Sequence, residues 1–242
     1  MIFRLFAALA FGLACAVLAS AQHTPEYFRY RPEKISVGTV HHYVKTNIDG
    51  SQPEHVSLYV AARDRIESFK FHPPRPGRAA LVIAEMDWQT FSARRLESWQ
   101  VFANDERKLF ATLDYLPAEQ SVSVSIPSTG KPTEKTRIGR LPFHVYNFDL
   151  ASLNFAFRHL VDPRRGFTVG LADPTFQEQG PVFRYRGEAT VTYVGDERRG
   201  GAPCRKYRAG GDGLDQRGGF IWVNRRGGYF QDVEIELPDN SA

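Results

Sequence analysis

The sequence predicts a mainly β protein, a curved antiparallel sheet or partly open barrel with one helix near residues 149–161. Apolar and polar residues alternate over many short runs, which is the period of a half-buried strand. Pairs such as Asp49-Gly50, Asn104-Asp105 and Gly227-Gly228 separate those runs and tolerate the backbone angles of tight loops. Only the stretch after Asp149 spaces its apolar residues as a helix does.

The first element is an address. Arg4 supplies a positive start, the run from Leu5 to Leu18 is apolar and broken only by Gly12, and Ala19-Ser20-Ala21 has the small-x-small form that signal peptidase cuts. The run is shorter than the ~20 apolar residues a membrane span needs. Residues 1–21 therefore read as a signal peptide and 22–242 as a single all-β domain, periplasmic or secreted, with no transmembrane span after cleavage. Cys15 raises the idea of lipidation, but Gly12 stands where a lipobox wants Leu or a similar residue. No Asn-x-Ser/Thr sequon occurs, so a bacterial envelope is the simplest home.

The strands follow in order. Candidates are 36–46, 56–60, 66–71, 79–86, 90–99 and 108–115. In 121–126, Val122, Val124 and Ile126 share one face with serines on the other, and Pro127 ends the run. The helix comes next: Leu150, Leu153, Phe157, Leu160 and Val161 form a stripe, Asp149 is placed to cap the first turn, and Pro163 blocks continuation. Phe155 lies off that stripe and needs a second apolar surface. Further strands are 167–172, 186–194, 203–209 and 220–223. The last holds Val233, Ile235 and Leu237 between acidic residues. More than ten strands are too many for one flat sheet, and curling is the expected solution.

Composition bounds the chemistry. The net charge is +4, and Arg outnumbers Lys, with pairs at 94–95, 164–165, 198–199 and 225–226. Since 27 acidic residues are interleaved with them, no continuous polyanion stripe is evident and no nucleic acid is expected as a partner. Once Cys15 leaves with the signal, Cys204 is the only thiol, and a lone Cys in a strand is most simply a small buried apolar residue.

Motifs for chemistry are few. Gly210 to Asp215 fits one calcium-binding nonapeptide turn, but such a site needs stacked copies, so a glycine-rich hairpin loop with solvated Asp212 and Asp215 is the reading. His41-His42 are adjacent and on a strand point to opposite faces, so neither a metal nor a cofactor is expected. The segment 142–149 is densest in functional side chains. His144 as base and Asp149 as its orienting partner are the weak catalytic candidates, with no Gly-x-Ser-x-Gly elbow to supply a nucleophile.

In the C-terminal third, Gly201-Ala202-Pro203-Cys204-Arg205-Lys206-Tyr207, then Phe220-Ile221-Trp222-Val223 and Gly227-Gly228 before Val233-Glu234-Ile235, resembles the strand series of exported bacterial proteins grouped as domain of unknown function 3108. The likeness covers about a third of the chain. Those proteins are similar to lipoprotein carriers in having a curved antiparallel sheet, so the resemblance implies an envelope location and a curved sheet, and it implies no catalytic residues.

The leading expectation is a non-catalytic envelope module that holds a lipid, another apolar or amphipathic ligand, or an envelope protein on the sheet. Leu153, Phe155 and Phe157 of the helix are its ligand-binding candidates. A hydrolase centred on His144 and Asp149 is the alternative, and a polyanion-binding surface is third.

Overall fold

A computed structural model describes residues 26–236 apart from 74–76, 131 and 176–179. The expected signal segment lies outside the described residues. The described residues are mainly β with one α-helix, as the alternation predicts, but the strands divide between two sheets.

The first sheet is an eight-stranded meander in chain order: β1 (Val40–Lys45), β2 (Glu54–Ala62), β3 (Arg65–Phe71), β4 (Arg78–Asp87), β5 (Ser92–Phe102), β6 (Arg107–Leu116), β7 (Ser121–Ser125) and β8 (Glu134–Arg137). The second comprises β9 (Phe143–Val145), β10 (Phe167–Pro174), β11 (Phe183–Arg199), β12 (Ala202–Gly210), β13 (Gly218–Asn224) and β14 (Phe230–Glu236), ordered β14-β13-β12-β11-β10-β9. Fourteen strands exceed what one twisted open sheet carries, and splitting puts two apolar faces at the disposal of one core.

Neighbours are antiparallel except β9 and β10, which run parallel. Parallel strands need a crossover rather than a tight turn. The helix α1 (Ala151–Ala156) and the 3₁₀ turn Phe157–His159 provide it.

The core is a single cluster that takes Val56, Leu58 and Val60 from β2, Val122 and Val124 from β7, Val169 and Leu171 from β10, and Tyr207 from β12. All six residues of α1 are buried, so this short helix is covered on every side rather than along one stripe. Each large apolar side chain so enclosed contributes about 1.5–3 kcal/mol.

Three sequence expectations change here. Asp149 does not cap the helix. It and Leu150 both take left-handed backbone angles, no side-chain cap bond forms, and the Asp149 carboxylate is drawn to Lys70 Nζ, 3.0 Å away. The helical stripe ends before Val161, which lies beyond the 3₁₀ turn and is 46% exposed. At the C-terminal edge, Val233 is also partly exposed, and the buried anchor of β14 is Phe230.

The glycine-rich segment 210–215 is a turn, as expected, but it is pressed onto β11. A Cβ on Gly211, at φ +115°, would stand 2.7 Å from the Glu188 carbonyl oxygen, so only glycine fits. Asp212 and Asp215 are exposed, and Asp215 forms an ion pair of 3.0 Å with Arg186.

Candidate functional site

β9 and the loop that leads from it to α1 carry the residues singled out for catalysis, and the fold separates them. His144 on β9 is fully buried, and its Nδ1 shares a 2.8 Å hydrogen bond with the hydroxyl of Ser152 on α1. Its Nε2 is buried with no hydrogen-bond partner among the described residues. Desolvation pushes its pKa down to about 3, so the imidazole is neutral at any ordinary pH.

Asp149 does not orient His144. Its carboxylate faces β1 and β3, where it accepts from Lys45 Nζ at 3.5 Å and from Ser68 Oγ at 3.4 Å besides pairing with Lys70. Lys70 also donates to the Asn147 carbonyl at 2.5 Å. This network satisfies a lysine that β3 would otherwise bury uncompensated, and it holds the loop against the first sheet. Ser152 is the nucleophile type that the motif search missed. The pair has essentially no solvent-exposed surface, so a substrate has no route to it without opening the core.

Leu153, Phe155 and Phe157 are also interior. Leu153 is 2% exposed, and Phe157 packs edge-on against Phe167, Tyr207 and Phe230. Phe155 finds the second surface it needs, with His41 at 5.9 Å and the Arg158 guanidinium 4.5 Å from its ring centre. The helix joins the two sheets. Asn154 Nδ2 donates to the Tyr43 hydroxyl on β1 at 3.1 Å, while its Oδ1 accepts from the Phe230 amide on β14 at 2.7 Å.

The arginine pairs are largely neutralised in place. Arg94 pairs with Asp64 and Glu85, Arg95 with Glu97 and Asp114, Arg165 with Glu26, and Arg199 with Asp232 and Glu234. Among the described residues no group of three His, Cys, Asp or Glu side chains is placed to hold a metal ion, and no helix is long and apolar enough to cross a membrane.

An open surface lies elsewhere. Antiparallel register puts Val40 beside Tyr59, His42 beside Ser57 and Ser57 beside Phe69, and Val44 beside His55 and His55 beside Phe71, all on the outer face of the first sheet. Val44 is 61% exposed, and Val40, Tyr59, Phe69 and Phe71 are exposed as well. A cavity of about 290 Å³ lies among His42, Val44, His55, Ser57, Phe69 and Phe71. β1 ends this sheet, and among the described residues no strand is hydrogen-bonded along its second edge. No family model, curated protein or solved structure matches the chain. The reading of this surface therefore rests on its own geometry. Period-two alternation locates β1 to β3 in the sequence, but it cannot tell an outward row from an inward one when both are apolar, as in Tyr59-Val60, and it points the wrong way in Phe69-Lys70-Phe71, where the lysine is the buried side chain.

Cys204 lies on β12 with no exposed surface, 3.5 Å from the Ala202 carbonyl oxygen, and burial raises its thiol pKa. It is therefore expected to react with a thiol reagent only on unfolding, and Cys204→Ala should cost about 1 kcal/mol through lost packing. Absorbance-monitored labelling with a chromogenic disulfide checks this. Complete reaction within seconds under native conditions would show a reactive thiol instead.

Proposed function

We propose that this protein is an exported, non-catalytic binding module of the bacterial envelope, and that it holds an extended segment of a protein partner along β1 and across the outer face of the first sheet. The export reading rests on residues 1–21. The observation that carries the binding reading is the row of exposed apolar side chains, Val40, Val44, Tyr59, Phe69 and Phe71, grouped on one face next to an unpaired strand edge. Isolated exposed apolar residues need no explanation, but a contiguous group marks an interaction surface.

A free edge supports a polypeptide partner over a lipid. An added strand gains main-chain hydrogen bonds from β1, and its alternate side chains meet the cavity between Val44 and Phe71. The sealed positions of Leu153, Phe155 and Phe157 move the binding surface away from the helix.

A photo-crosslinking amino acid at position 44, with Arg208 on the second sheet as the control position, tests this in cells. A discrete polypeptide adduct is expected from position 44 and not from 208, and Phe71→Glu should abolish it while changing the melting temperature by no more than about 2 °C. The same adducts from both positions, an adduct that survives Phe71→Glu, or a lipid adduct would overturn the proposal.

A further inference from the structure

A second site lies on the inner side of β1, independent of the outer-face reading, and its basis is a charge without a counter-charge. Among the described residues two cations with nearly enclosed side chains have carboxylate partners, whereas the half-buried Arg158 does not. Lys70, with a side chain 8% exposed, faces Asp149 at 3.0 Å, and Arg186, at 4%, faces Asp215 at 3.0 Å. Arg158 has none within ion-pair distance. Its Nη2 lies 2.8 Å from His41 Nε2, and its Nε is buried with no partner among the described residues. A guanidinium carries donors only, so His41 must accept through Nε2 and be neutral. Taking a cation out of water without an opposing charge costs several kcal/mol.

The surroundings are built to a fixed geometry. Arg158 leaves the 3₁₀ turn after α1 and lies over the Phe155 ring. Gly228, in the turn between β13 and β14, comes so close that a Cβ there would stand 3.0 Å from Arg158 Cγ. The Tyr229 ring lies 4.8 Å from that of His41, and the Tyr43 ring 6.4 Å. Both phenols are near enough to act electrostatically on the guanidinium. Because Asn154 Nδ2 donates to the Tyr43 hydroxyl, the phenol proton is free for an incoming acceptor. Arg158, His41, Tyr43 and Tyr229 are all half-buried, so the cluster opens to solvent on one side.

We propose that Arg158, ringed by His41, Tyr43 and Tyr229 where the edges of the two sheets meet, binds the carboxylate of a small monoanionic ligand. One guanidinium beside a neutral imidazole matches one negative charge, whereas a dianion would leave a charge uncompensated. The guanidinium fork suits a carboxylate, and the half-buried rings of Tyr43 and Tyr229 offer walls to a flat ligand body.

Calorimetric titration of the mature protein at pH 8 and low chloride, where inorganic phosphate is mainly a dianion, with benzoate, acetate and phosphate as probes, tests the site. Benzoate is expected to bind more tightly than acetate and phosphate, and Arg158→Met should weaken it by roughly tenfold or more. Tyr43→Phe, which keeps the ring and removes the phenol proton offered to the ligand, should weaken it by roughly threefold without loss of fold, and it decides the matter if Arg158→Met does not fold. Preference for phosphate would overturn the charge argument. Absence of benzoate binding, or binding unchanged in a folded Arg158→Met or in Tyr43→Phe, would overturn the site.

Discussion

Phe157→Ala is expected to lower the free energy of unfolding by about 3–5 kcal/mol, a large part of the whole stability of a domain. Phe157 is 4% exposed, and its ring meets Phe167, Tyr207 and Phe230 at centroid separations of 5.4, 5.0 and 5.6 Å. Those partners stand on β10, β12 and β14. They are held by main-chain ladders and cannot move in to fill the space, so the cavity persists. In a domain of this size the melting temperature should fall by about 6–20 °C. Urea unfolding of the purified variant measures the effect. A change under about 2 °C would mean that the helix rests loosely on the sheets as a lid, and would restore Phe157 as a ligand contact.

Acid should destabilise the protein well above the range in which carboxylates protonate. His144 and His159 have no exposed surface, and desolvation lowers their pKa values to about 3 and about 4, with Arg158, Arg31 and Lys34 adding to the shift at His159. In the unfolded chain both titrate near 6.5. The unfolded state therefore binds more protons below that pH. The stability they contribute is complete above pH 6.5 and is lost as the pH falls towards the folded values. Each site costs up to ~1.4 kcal/mol per pH unit, half that at pH 6.5 itself, so the pair removes about 3 kcal/mol between pH 6.5 and 5. His41, lowered to about 4 by burial and by Arg158 but only half-buried, adds a smaller and more screened part. Urea midpoints across that range, with the histidine ring protons followed by NMR, check the sign and size. Flat stability, or every histidine titrating near 6.5, would contradict it.

Much of the secondary structure was legible because a strand's period is local. In 121–126 the alternation of serine with valine and isoleucine needs no partner to be recognised, and Val122 and Val124 are indeed buried. The short β8 and β9 carry too few residues for a period to register. The cap expected of Asp149 failed for a related reason: an aspartate before a helix is a local signal, and Lys70, distant in sequence, outbids the helix amides for the carboxylate.

The sequence by itself determined the mainly β class, the single helix, the turn at 210–215, the opposite facing of His41 and His42 and the burial of Cys204, because each follows from the spacing or surroundings of nearby residues. The tertiary structure alone decided that the strands form two sheets, that the helix is the crossover between the parallel pair β9 and β10, that Ser152 meets His144, and that Arg158 lies against His41 with no carboxylate beside it among the described residues. Arg158 and His41 are 117 residues apart. A pairing at that distance is set by sheet register and by which charges the folded core brings together, and no local period encodes it.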